Sequence, residues 1–149
     1  MKNDFEADLI KSLNFHLKDN GIAFRLKQAE YTNQIVDILI DSTKYGYIFI
    51  EAKSMDYIKY DKLYFNGRFS DGQIEGIEEF RKKSGRKGFL FVELRQGKGN
   101  KNIVLIYKWE DIYKKYISDE KSIVFRDTDF KTNKIGEYLD LGRFFSVFV

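Results

Sequence analysis

Asp37 stands inside one of the most apolar runs of the chain, residues 34–41 (QIVDILID), with Val36 and Ile38 on either side. A run this apolar belongs in the interior, where a carboxylate is expensive unless a cation, a hydrogen-bond donor or a metal ion compensates it. Any fold open to this chain must bring such a partner to Asp37. The next extended run, residues 46–53 (GYIFIEAK), offers candidates, because Ile48 and Ile50 alternate with Phe49, Glu51 and Lys53. Side chains repeat every two residues along a strand, so Glu51 and Lys53 share one face.

Around these two runs the pattern predicts an α/β protein. Residues 2–19 place Phe5, Leu9, Leu13 and Leu17 at four-residue spacing with Ile10 beside them, an amphipathic helix that Asn20-Gly21 should end in a left-handed turn. Segments 22–28, 34–41 and 46–53 are rich in Ile, Val, Phe and Tyr and predict a meander of strands. Residues 54–69 alternate aromatic and basic side chains without a clear period and read as a loop or irregular hairpin. Ser70 followed three positions on by Gln73 matches a capping box, and Ile74, Ile77 and Phe80 continue it as a helix over 71–84. Two more strands follow at 88–94 and 102–107, joined by the glycine-rich basic turn RQGKGNK, then a short helix over 109–116. Beyond Ser118 the pattern weakens: SIVF reads as a strand, IGEYLDL as a short helical turn, and FFSVFV as an apolar end that must pack against something.

With 149 residues, 43% of them apolar, the chain can bury one substantial core, and a single domain over 1–149 is expected. The absence of cysteine excludes disulfides, thiolate metal sites and a catalytic thiol. A net charge of +3 is too small to indicate a nucleic-acid partner by itself. The acids in MKNDFEADLI interrupt any signal-peptide core, and no segment approaches the roughly 18 apolar residues of a membrane span. A soluble cytoplasmic protein with no membrane partner is the expectation.

The chemistry lies in the acids. A divalent metal is one compensator for Asp37: two carboxylates on adjacent strands, Asp37 and Glu51, with the main-chain carbonyl of Ala52 between them, supply the hard oxygen ligands that Mg²⁺ requires. Lys53 then sits beside the metal. Such an ion acidifies a bound water and neutralises charge on the phosphorus during phosphodiester hydrolysis, and a neighbouring lysine orients or deprotonates that water.

An acid in one strand followed by Glu-x-Lys in the next resembles the PD-(D/E)xK nuclease superfamily, and VDILI…YIFIEAKS looks most like its Holliday junction resolvases. The resemblance spans roughly residues 5–95. It includes FEADL, similar to the helix-one start of archaeal resolvases, and LYFNGRFSDGQIEGIEEF, similar to the region after the motif in bacterial RecU-type resolvases. Val36 stands where the motif name has proline. The resemblance implies a restriction-endonuclease-like core of helix, mixed mainly antiparallel sheet and helix, with residues 96–149 as an unassigned extension. It implies Asp37 and Glu51 as Mg²⁺ ligands (Mn²⁺ as substitute) and Lys53 as the catalytic lysine. It further implies Glu6 as a helix-one carboxylate completing the metal shell through water, and Gln73 as a residue holding the lysine or the scissile phosphate.

Plainer readings stand beside these. Asp37, Glu51 and Lys53 also fit a polar strand face; Glu6 fits a first-turn acid favoured by the helix dipole, Gln73 a simple cap, and His16 a structural histidine. For DNA contact the candidates are Lys59, Lys62 and Arg68, interleaved with Tyr57, Tyr60 and Tyr64, whose faces can stack on bases; Arg81 and Lys82 form a second, basic helix end, with Arg95, Lys98 and Lys101 beyond. Paired cuts in a symmetric DNA need twofold-related sites, so a homodimer or dimer of dimers is expected, with FFSVFV available to its interface. The competing functions are a sequence-specific endonuclease of homing or restriction type on the same fold, and a non-catalytic DNA-binding module.

Overall fold

The computed structural model describes residues 5–26, 35–57, 61–128 and 130–149. Its helices are α1 (Phe5–Leu17), α2 (Phe65–Arg68), α3 (Gln73–Ser84) and α4 (Trp109–Ile117). The longer strands are β1 (Gly21–Arg25), β2 (Ile38–Ser42), β3 (Gly46–Asp56), β5 (Lys87–Arg95) and β6 (Ile103–Lys108); the short ones are β4 (Lys62–Tyr64), β7 (Ser122–Val124), β8 (Lys131–Thr132), β9 (Lys134–Ile135) and β10 (Tyr138–Leu139). None of these helices is long and apolar enough to cross a membrane.

Six strands form one sheet in the order β1-β2-β3-β5-β6-β8. All neighbours are antiparallel except β3 and β5, which run parallel from Ile48 opposite Lys87 to Asp56 opposite Arg95. A parallel pair needs a crossover, and α3 lies in it. This is the α/β class and mostly antiparallel sheet that the sequence led us to expect.

Both faces of the sheet are covered, which is why its central strands read as almost unbroken apolar runs. On one face Leu9, Leu13 and Leu17 of α1 pack on Ile38, Ile40, Ile48, Ile50, Phe89 and Phe91. On the other, Phe49, Leu90 and Val92 meet Ile74 and Ile77 of α3, Trp109 and Ile112 of α4, and Phe65 and Phe69 around α2. The alternation in β3 therefore sends Ile48 and Ile50 to the α1 face, and Phe49 and Glu51 to the α3 face.

Four local expectations change. Gly21 does not end α1 in a left-handed turn; its φ is 170°, and Lys18 takes the left-handed conformation at 51°. Glycine is needed at 21 for space, since a Cβ there would lie 2.8 Å from Ser42 Cβ across the β1–β2 pair. The stretch read as a loop or irregular hairpin instead extends β3 to Asp56 and then forms β4 and α2, with β4 pairing to β7.

Residues 135–141 make no helical turn: β9 and β10 form a hairpin with Gly136 at φ 68°. Burial decides this, because the hairpin lets Leu139 enter the α1 core, where its N–H donates to Ser12 Oγ at 3.0 Å, and lets Tyr138 stack on Phe15 at 4.0 Å. The C-terminal FFSVFV forms one π-helical turn that closes the chain's own core. Phe144 packs edge-on against Phe89 and Phe91, and Phe145 stacks on His16 at 4.5 Å, so these two rings belong to the chain's own core, while Val147 is exposed.

Candidate active site

The β2–β3 ladder ends at Ile38 opposite Ile50. Asp37 lies one residue before that pair and Glu51 one residue after it, so both acids sit at the open end of the ladder, where β3 continues against β5 alone. Ala52 N–H, with no β2 residue opposite, donates to Asp37 Oδ2 at 2.8 Å. The N–H and C=O of one strand residue leave on the same edge, so the Ala52 carbonyl faces the side of β3 where Asp37 is held.

Glu51 is 2% exposed. Its Oε2 accepts from Gln73 Nε2 at 2.9 Å and lies 3.3 Å from Lys53 Nζ, and its carboxyl shares a hydrogen bond with that of Asp37. Burial, and next the charge of Asp37, push Glu51 up to about 8, with Lys53 pulling the other way. Near neutral pH Glu51 therefore carries the proton that bridges the two carboxyls. Lys53 extends along the same face, its ammonium 4.6 Å from the centroid of Phe69.

Gln73 opens α3 with Glu51 in reach. The chain turns at Ser70–Gln73, closed by Gln73 N–H to Ser70 O at 3.0 Å, and Gly72 at φ 78° leads into the helix. Only half of the predicted capping box forms: Gln73 Oε1 accepts from Ser70 N–H at 3.0 Å, no side chain caps the helix, and α3 starts at 73 rather than 71. The two readings of Gln73 are thus two ends of one amide, its oxygen anchored on Ser70 and its nitrogen presented to Glu51.

Glu6 makes an ion pair with Arg25, which pairs with Ile38 beside Asp37. Glu6 lies in the first turn of α1, the helix on the other face of the sheet, with its carboxylate 3.6 Å from Arg25 Nε. Among the described residues no third Asp, Glu or His joins Asp37 and Glu51 in a group able to hold a metal.

The basic candidates separate in space. Arg68 ends α2 immediately before Phe69, while Lys62 is half-buried in β4 opposite Val124. Lys59 and Tyr60 lie outside the described residues. Arg81 and Lys82 occupy the last turn of α3, about 12 Å along the helix from Gln73 at 1.5 Å per residue, and Arg81 grips Glu78 through two nitrogens at 2.5 and 3.1 Å. They are not brought to the acids. Phe69, whose ring covers Lys53, was missed because an aromatic residue before a turn looks like any core residue.

No family model matches the chain, and no curated protein matches it. Among solved structures it is similar to that of Hjc from Archaeoglobus fulgidus, described as a Holliday junction resolvase from an archaeal hyperthermophile. The identity is 19%, covering 70% of this chain and 77% of that one, with a TM-score of 0.47.

Proposed function

We propose that this chain is a divalent-cation-dependent endonuclease that hydrolyses DNA phosphodiesters, with Mg²⁺ as its metal, Mn²⁺ as a substitute, and a four-way junction as its substrate. The observation that carries this reading is the contact between the Asp37 and Glu51 carboxyls at the open end of the β2–β3 ladder, with Lys53 Nζ 3.3 Å from Glu51 Oε2. Two touching carboxylates, one of them buried, cannot stay in contact once both are ionised unless a cation joins them. The donor set of Asp37, Glu51 and the Ala52 carbonyl consists of hard oxygens, which suits Mg²⁺.

Bound there, the ion would supply an acidified water and charge neutralisation at phosphorus. The chain's own groups do the rest. Gln73 and Lys53 hold Glu51 Oε2 from two sides, which fixes the carboxylate. Lys53 Nζ, kept close by Glu51 and by the Phe69 ring, holds the attacking water or a phosphate oxygen by donating hydrogen bonds. Arg68, which precedes Phe69 in the chain, is a candidate for contact with the DNA backbone.

The preference for a junction over a duplex follows from the motif resemblance, and paired cuts would require a homodimer or dimer of dimers. The segments beyond residue 95 complete both cores of the sheet, which favours one nuclease domain over 1–149. End-labelled mobile junctions and linear duplex, each with Mg²⁺ or with EDTA, test the proposal. Metal-dependent paired incision of the junction is expected. Cutting of one duplex sequence alone would shift the assignment to a sequence-specific endonuclease, and no cutting of either to a binding module.

Metal uptake must displace the proton on Glu51. Since burial and Asp37 hold that group near 8, binding at pH 7 will release about one proton per ion, and affinity will rise with pH until about 8. Calorimetry in buffers of different ionisation enthalpy measures the release; a value of zero at pH 7 would remove Glu51 from the ligand set. Gln73→Ala will lower kcat by roughly tenfold, equivalent to about 1.4 kcal/mol, with little change in KM, because the amide orients a ligand rather than binding DNA. Single-turnover cleavage rates read this directly.

A further inference from the structure

Among the described residues the buried glutamates are Glu51, Glu78 and Glu93. Glu51 faces Lys53, and Glu78 is gripped by Arg81. Among the described residues the hydrogen-bond partners of Glu93, which is 9% exposed, are neutral: Ser54 Oγ donates to it at 2.7 Å and Asn102 Nδ2 at 3.5 Å. A carboxylate taken from water without a cation is costly unless donors complete its shell. The cleavage chemistry makes no use of Glu93, which projects from β5 on the α1 face, on the same side as Phe89 and Phe91 and away from Lys53.

Glu93 lines a cavity of about 480 Å³, within the roughly 300–1,000 Å³ of small-ligand pockets. Phe5, Val104 and Leu139 make its apolar walls, and Asn102 and Lys101 join Glu93 as its polar groups. Lys134, also in the wall, is held by Asp8 at 2.9 Å. Walls of this kind suit a flat heteroaromatic group better than a bare ion. What Glu93 lacks is a ligand edge carrying hydrogen-bond donors.

We propose that this cavity receives an unpaired guanine base of the DNA, with its N1–H and N2–H₂ donating to the Glu93 carboxylate and the attached phosphate resting on Lys101. Guanine is the base whose Watson–Crick edge carries two adjacent donors. Adenine and cytosine set an acceptor beside their amino group, and thymine flanks its imide N–H with two carbonyls, so each would turn an acceptor toward the carboxylate. A carboxylate offers about four acceptor positions, so the bonds from Ser54 and Asn102 leave room. Nucleobases taken out of a stack are read in this way, on the Watson–Crick edge and between apolar walls.

The choice of DNA as the source of the base rests on the nuclease reading. Ser54 directly follows Lys53 in β3, so the cavity and the paired acids occupy opposite faces of the same end of the sheet. One unpaired strand crossing that end can reach both.

The test is equilibrium binding in EDTA, with no cleavable junction present, of dGMP, dAMP, dCMP and dTMP, and of oligo(dT) with or without one central dG. We expect dGMP to bind about tenfold or more tightly than the other three, and the dG-bearing oligonucleotide more tightly than plain oligo(dT). Glu93→Gln, nearly isosteric, should lower dGMP affinity about tenfold with an unchanged circular dichroism spectrum. Lys101→Ala should weaken the oligonucleotide several-fold.

Equal affinity for the four nucleotides, or dGMP binding untouched by Glu93→Gln, overturns the assignment. So does dGMP binding with no gain from the dG in the oligonucleotide, which would mark a site for free nucleotide. The base ranking is read on the unaltered protein, so it stands however the variants fold. Junction cutting without guanine binding would defeat this inference alone, and guanine binding without cutting would defeat the nuclease reading alone.

Discussion

Exchanging Glu51 for glutamine will abolish cleavage and, at the same time, raise the melting temperature of the metal-free protein at high pH. The loss of activity should be about 10³-fold or more, because a ligand to the ion that stabilises the transition state is gone. The gain in stability comes from the acid's environment. Glu51 is held near 8 in the fold against the ordinary glutamate value of about 4.5, so between those limits the folded chain keeps a proton that the unfolded chain has released. Stability therefore falls as pH rises from about 4.5 to 8 and is level above that, with a total loss of the order of a few kcal/mol.

Glutamine keeps an acceptor for Gln73 and never ionises, so Glu51→Gln should overtake the parent by several degrees at pH 9. Adding Mg²⁺ should reverse the order, lifting the parent alone. Thermal melts at pH 5 and pH 9, with and without Mg²⁺, measure all of this. A variant that melts like the parent at pH 9, or that gains as much from Mg²⁺, would show that Glu51 neither strains the fold nor binds the ion.

Gly88→Ala should be the most damaging single-methyl addition. Gly88 lies directly opposite Phe49 in the parallel β3–β5 pair, and a Cβ there would fall 2.1 Å from Phe49 Cζ and 2.4 Å from Cε2. Phe49 cannot yield easily, because it is fully buried against Phe80 and Trp109 at 5.7 and 6.3 Å. A cost of about 3 kcal/mol follows, which for a chain of this length lowers the melting temperature by on the order of 10 °C.

The cause can be separated from a general dislike of alanine in β5 by pairing it with Phe49→Leu. The double variant should be clearly more stable than the sum of the two single losses predicts. Strict additivity in chemical denaturation would mean that the ring over Gly88 is not the obstacle.

The elements whose patterns are local were readable from the chain itself. Phe5, Leu9, Leu13 and Leu17 announce α1, and the alternation in 46–53 puts Glu51 and Lys53 on one face because a strand has no other way to orient neighbours two apart. Asp37 was conspicuous because a carboxylate between Val36 and Ile38 requires a partner wherever the run is buried. The hairpin of β9 and β10 was not readable: IGEYLDL has no strong period, and only the docking of Leu139 and Tyr138 on α1 selects it. FFSVFV announced that it must be buried, but not that its own chain supplies the cover.

By itself, then, the sequence determined which side chains travel together: the acid and lysine of β3, the apolar stripe of each long helix, and the acid that precedes β2. Only tertiary structure decided which of these groups meet. The sheet order brings Asp37 against Ala52 and Glu51, the β3–β5 crossover delivers Gln73 and Phe69 to the α3 face, and α1 packs on the opposite face, with Glu6 paired to Arg25. Such meetings join residues far apart in the chain, and their free energy lies in the area buried when whole layers close, which no short stretch of sequence encodes.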